Sequence, residues 1–111
     1  MTIVVKIGGP AVEDPAQRRA VAKQIAALSR AGPRLVVVHG RGKLLTQTLR
    51  RLGIATRFHE GLRVTDAATR DVALMVLAGI VNKQWVAELA SQGQRALGLC
   101  GGDAGLVTAR K

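Results

Sequence analysis

Two stretches of the chain hold residues whose types and order could do chemistry. One is Val4-Val5-Lys6-Ile7-Gly8-Gly9; the other is Val36-Val37-Val38-His39-Gly40-Arg41-Gly42-Lys43. Each is a β-branched run that stops on glycines. Glycines at the carboxyl end of a strand let backbone N–H groups approach an anion closely. A helix opening there adds free amides and the positive end of its dipole. Lys6 brings an ammonium group to the same end. A lysine among buried strand residues is costly unless an anion pairs with it. The combination points to a phosphate-sized anion and to phosphoryl chemistry. Either glycine cluster alone also reads as an ordinary strand terminator.

Two common phosphate motifs fail. A P-loop needs glycine at the position held by Val37 and Ser or Thr at the position held by Leu44. A dinucleotide fingerprint starting at Gly40 needs glycine where Leu45 stands. The cradle, if present, is of another kind.

Those loops must be positioned by regular elements. Residues 2–7 read as a fully buried strand ended by Gly8-Gly9-Pro10. Asp14-Pro15 is a helix start, with an N-cap and a proline at the first turn. Apolar spacing carries that helix from 16 to 30, and Ala31-Gly32-Pro33 stops it. Residues 35–38 form a second buried strand, so a parallel, right-handed β-α-β unit is expected. A short helix over 43–52 closes at Gly53. Residues 56–58 form a short strand before a loop at Glu60-Gly61. Thr65-Asp66 opens the longest helix, which runs to about 90; close helix packing accounts for Gly79 within it. Residues 96–99 read as a third strand and 106–109 as the opening of a fourth. The order favours an α/β sheet covered by helices on both faces, with ligands beyond the carboxyl ends of the strands.

Composition narrows the class. The chain has 111 residues, 48% hydrophobic, with Phe58 and Trp85 as its only aromatics, so one domain with an aliphatic core is expected. The net charge is +10, from 17 basic against 7 acidic residues. The basic residues are scattered, and no aromatic platform for stacking bases accompanies them. They read as solvated faces, not a nucleic-acid partner. Cys100 is unaccompanied, reads as a small buried hydrophobe and fits a reducing compartment. No signal peptide, no membrane-length apolar run and no metal-ligand cluster is read, so a cytoplasmic chain is expected.

Five segments taken together carry a resemblance. VVKIGG (4–9), VVVHGRG (36–42), EGLRVTD (60–66), MVLAGIVNK (75–83) and GLCGGDAGL (98–106), in this order, resemble the N-terminal half of the acetylglutamate kinases, within the amino acid kinase family. The resemblance covers essentially the whole chain. The GLRVTD and LAGIVNK segments are its most specific parts. It implies a three-layer αβα sandwich with a mainly parallel sheet, of which 1–111 would be the domain for the amino-acid substrate and for dimerisation. It implies transfer of the ATP γ-phosphoryl group to the side-chain carboxylate of N-acetyl-L-glutamate, in arginine biosynthesis, with Mg²⁺ accompanying the nucleotide.

The resemblance also implies roles. Lys6 would stabilise the transferring phosphoryl group. Gly8, Gly9, Gly40 and Gly42 would offer amides to phosphate. Arg41, Gly42 and Arg63 would contact the substrate. His39 is read as a satisfied structural imidazole, Asn82 and Lys83 as structural or subunit-contact residues, and Asp103 as the brace of a turn. The family carries glycine where Arg41 stands. A side chain there either blocks the backbone approach or fills the anion site, and it gives up backbone freedom. The nucleotide-binding domain is expected to lie outside these residues, so the chain alone is expected to have little activity. With its first strand at residue 2, the chain is expected to lack the extra N-terminal helix of arginine-inhibited members and to form a homodimer through the helix near 66–90. Competing readings are a kinase for carrier-bound aminoadipate or glutamate, a non-catalytic module of the same fold and a basic nucleic-acid binder.

Overall fold

The computed structural model describes residues 1–110. Strand β1 (Thr2–Ile7) is followed by a one-turn helix α1 (Pro10–Glu13), then α2 (Pro15–Arg30), β2 (Arg34–His39) and α3 (Gly42–Arg51). A hairpin of β3 (Phe58–His59) and β4 (Leu62–Arg63) leads to α4 (Ala67–Ala73). A π-helical segment (Leu74–Val81) and α5 (Asn82–Ser91) continue it.

β1 and β2 pair in parallel, Thr2 opposite Arg34 through Ile7 opposite His39. This is the expected β-α-β unit, and its caps are those the sequence names. Asp14 accepts a hydrogen bond from Ala16 N at 3.0 Å, and Pro15 occupies the first turn of α2. Asp66 accepts from Thr69 N at 2.8 Å and starts α4.

The strands are not fully buried. Their side chains alternate. Ile7, Val5, Leu35 and Val37 pack into the core with Val12, Ile25, Leu49, Val76 and Trp85. Val4, Val36 and Val38 on the opposite face are 66%, 49% and 46% exposed. Among the described residues, helices cover one face of the sheet. Lys6 shares the open face and is exposed, so the cost of burying an ammonium does not arise.

Residues 96–99 do not form a ladder, nor do 106–109. The first of these segments still alternates between half-buried and exposed positions, as a strand would. It is held by side chains: Asn82 Nδ2 donates to Leu99 O at 3.0 Å, and Lys83 Nζ to Gly98 O at 3.3 Å.

The long helix is not uniform. Its buried apolar residues are Val72, Val76, Val81, Trp85 and Leu89. The step from Val76 to Val81 is one residue longer than the steps on either side. A π turn, wider than an α turn, keeps Val81 on the face of Val76. Gly79 lies in this segment, and a Cβ there would meet only Leu74 O, at 3.8 Å. It therefore marks no close helix contact within the described residues of the chain. Contrary to expectation, the run Ala67–Ser91 is long and apolar enough to cross a membrane by length and composition; one side of it supplies the core just described. Between α2 and α5, Glu88 lies 3.7 Å from Arg18 Nε and 3.5 Å from Arg19 Nε.

The Asp66 cap makes stability depend on pH. The backbone hydrogen bond from Thr69, then its side-chain hydrogen bond and the nearby Arg57, hold the carboxyl below the ordinary aspartate range against a smaller opposing effect of burial. A carboxylate depressed in the fold stabilises it above its unfolded pKa of about 3.9, and that contribution is lost as pH falls through the folded value. Thermal melts of the chain and of Asp66→Asn should therefore differ at neutral pH and converge in acid. A constant gap would show that the carboxylate charge plays no part.

Candidate functional site

Because Lys6 pairs with Val38 and Ile7 with His39, the two strands end level. The Gly8-Gly9 and Gly40–Gly42 loops leave from this common edge and meet the starts of α1 and α3. They enclose a cleft of about 360 Å³ whose lining includes Lys6, Gly8, Gly9, Gly40, Arg41 and Gly42. Six of the seven residues singled out in the sequence are thus together.

Three of those glycines have no reason within the chain to be glycine. Gly8, Gly40 and Gly42 do not adopt positive φ, and a Cβ on any of them would meet no atom within 4 Å. Side chains there would project into open space at the cleft. Gly9 differs: its φ of +59° is a left-handed conformation that favours glycine.

The cleft is electropositive. Lys6, Arg41 and Lys43 line it against one acid, Glu13. Lys43 Nζ pairs with Glu13 Oε2 at 3.3 Å, joining α3 to α1 across the mouth. α3 begins here with Arg41 at its N-cap, and no side chain caps its amides. A helix start without a capping acceptor is a site for an anion. Arg41 sits at φ −158°, open to any residue, so its side chain gives up no glycine-only conformation. Its Nε is buried without a hydrogen-bond partner. These donors fit phosphate groups. They do not fit Mg²⁺, which takes oxygen ligands. Glu13 is the only acid in the lining and is already paired, and no cluster of three potential metal ligands occurs among the described residues.

Arg63 does not line the cleft. From the β3–β4 hairpin it reaches the first turn of α3, where Nη2 donates to Thr46 Oγ1 at 2.9 Å and lies 3.5 Å from Gly42 O. Its guanidinium sits 4.8 Å from the Phe58 ring centroid, and Nη1 is buried without a partner. The hairpin turn that aims it uses Glu60 at φ 48° and Gly61 at φ 78°, the two positive values of a type I′ turn.

His39 is only half satisfied. Nε2 lies 3.4 Å from Asn82 Nδ2, while Nδ1 is buried without a partner. Burial pushes its pKa below the usual imidazole value. Asn82 and Lys83 have the structural contacts already given. Asp103 braces a turn, accepting from Cys100 N at 2.6 Å, and that backbone hydrogen bond lowers its pKa. Cys100 is half-buried, not fully buried. Sequence reasoning missed α1 and the Glu13–Lys43 pair. Pro10 after two glycines was the available signal, since proline favours a first helical turn.

The profile of the amino acid kinase family matches residues 1–111. The acetylglutamate kinase of Koribacter versatilis is 51% identical over 111 residues, covering all of this chain and 42% of that protein. That of Acidobacterium capsulatum is 53% identical, covering all of this chain and 43% of that protein. The chain therefore spans well under half the length of these curated relatives. Among solved structures, the N-acetylglutamate synthase of Neisseria gonorrhoeae with coenzyme A and N-acetyl-glutamate is similar at a TM-score of 0.69 and 31% identity, over 82% of this chain and 21% of that one. The same enzyme with coenzyme A and L-arginine gives a TM-score of 0.60 and 26% identity, over 98% of this chain and 23% of that one.

Proposed function

The chain belongs to the amino acid kinase family, and from that premise we propose that its cleft is the phosphoryl-binding part of an acetylglutamate kinase. The reaction is attack of the side-chain carboxylate of N-acetyl-L-glutamate on the γ-phosphorus of ATP. The new carboxyl–phosphorus bond forms as the bond to the β-phosphate oxygen breaks, and ADP leaves with the negative charge. The product is an acyl phosphate for arginine biosynthesis. The observation that carries this reading is the trio Gly8, Gly40 and Gly42 at one electropositive strand edge, glycine where only a ligand requires it.

Phosphoryl transfer asks mainly for alignment and charge stabilisation. Lys6 places its ammonium against the transferring group. The amides of Gly8, Gly9, Gly40 and Gly42 take phosphate oxygens. Arg41 adds charge to the same anion and to the substrate beside Gly42. Arg63 takes a substrate carboxylate through Nη1, which the chain leaves without a partner; a planar guanidinium suits that anion. Mg²⁺ accompanies the nucleotide. The similar kinases are named for acetylglutamate, and the similar synthase was solved with N-acetyl-glutamate, which supports this amino-acid substrate.

The complete architecture is a three-layer sandwich in which a second layer covers Val4, Val36 and Val38. The chain is a cytoplasmic homodimer through the apolar residues exposed on the long helix, Leu74, Met75 and Ile80. Calorimetry tests the site. ATP, through its phosphate groups alone, and N-acetyl-L-glutamate should each bind the folded chain, and Arg63→Ala should weaken acetylglutamate by about tenfold, the scale of one charged hydrogen bond. A folded chain that binds neither ligand overturns the reading.

A further inference from the structure

Asn82 is a buried amide on α5 whose orientation the chain fixes. The Leu99 carbonyl can only accept, so the atom 3.0 Å from it is the amide nitrogen, Nδ2. Asn82 Oδ1 is turned the other way, against Gly98, where a Cβ would collide with it. The second proton of Nδ2 then faces His39 Nε2 at 3.4 Å. With Nε2 accepting, the ring proton lies on Nδ1, which is buried without a partner. An imidazolium would set N–H against N–H. His39 is the last residue of β2 and lines the cleft immediately before Gly40.

We propose that Asn82 is a positioning residue of the cleft: its amide, oriented by the Leu99 carbonyl, locks His39 as the neutral Nδ1–H imidazole and anchors the end of β2 from which the Gly40–Gly42 loop departs. Its role in binding rests on the cleft being the anion site; the tautomer does not. The charged groups on the elements packed around the ring are Lys6 of β1, Glu13 of α1, Arg41 and Lys43 at the start of α3, and Lys83 of α5. Most are cationic and disfavour a further positive charge, as burial does.

Long-range ¹H–¹⁵N NMR of the imidazoles in the full chain tests this. The only other histidine is His59, exposed in the hairpin and a built-in reference. His39 should show the Nδ1–H tautomer and stay neutral through the usual imidazole range near pH 6.5. In Asn82→Asp a carboxylate faces Nε2, and His39 should shift to the Nε2–H or protonated form. Affinity for inorganic tripolyphosphate should fall by about tenfold in Asn82→Asp and Asn82→Leu, the scale of groups that orient a ligand-binding residue from behind. Should either variant fail to fold, the wild-type tautomer decides: an Nε2–H ring in the wild type overturns the lock. Tripolyphosphate binding with an Nε2–H ring sinks the lock and spares the anion site. An Nδ1–H ring with no tripolyphosphate binding overturns the positioning role together with the anion site.

Discussion

Replacing Lys6 with methionine is expected to weaken ATP binding by about ten- to hundredfold, the loss of one charge-assisted contact of about 1.5–3 kcal/mol. The melting midpoint should not move. Lys6 lies on the open face of the sheet, so its removal leaves no cavity and no stranded charge in the core. Methionine keeps the stem and removes only the ammonium. A variant that binds ATP normally would move the anion away from the end of β1. A variant that melts early would make Lys6 a structural residue, against its exposure.

The largest effect on stability should come from Trp85. It is 3% exposed, in the cluster that joins α5 to Leu49, Val76 and the inner face of the sheet. Trp85→Ala removes the largest side chain of an otherwise aliphatic core and should cost about 3–5 kcal/mol. That is a large fraction of the roughly 5–15 kcal/mol that holds a typical domain folded. Trp85→Phe is the informative partner. The indole Nε1 is buried without a partner, and an unsatisfied buried donor costs about 1–3 kcal/mol. Phenylalanine fills most of the space and removes that donor, so it should melt close to the native chain. Chemical denaturation of the three proteins, followed by circular dichroism, measures both. Equal damage from the two substitutions would mean that the indole N–H makes an interaction the core depends on.

The parts of the fold legible in the sequence are those written in local chemistry. Asp14-Pro15 and Asp66 mark helix starts because a capping carboxylate acts within three residues of itself. The β1-α2-β2 unit follows from two β-branched runs and a crossover of suitable length. The shared edge of the two glycine loops follows from parallel pairing, since parallel strands carry their carboxyl ends to the same side.

What the sequence left open depends on partners distant along the chain. Residues 96–99 alternate like a strand, yet alternation specifies an extended backbone and not a ladder; Asn82 and Lys83 hold them instead. An apolar run such as Val4–Val5 or Val36–Val38 does not say whether one face or two are covered, so the open face and the exposure of Lys6 were not readable. Arg63 reaches the outside of the α3 first turn because of a tight hairpin whose register no spacing rule fixes. The five-residue step from Val76 to Val81 was hidden by Ile80, four residues after Val76, which an α-helical period places on the buried face although it is 50% exposed, so the π turn was not readable.

The central claim is that main-chain amides at two neighbouring strand ends receive one anion beside Lys6. Amide ¹H–¹⁵N NMR during titration with ATP reads it at the atoms concerned. Saturable shifts should concentrate at Gly8, Gly9, Gly40, Arg41 and Gly42 and largely vanish in the Lys6→Met chain. Shifts that gather instead at surface arginines such as Arg50 and Arg57, unaltered by loss of Lys6, would contradict it.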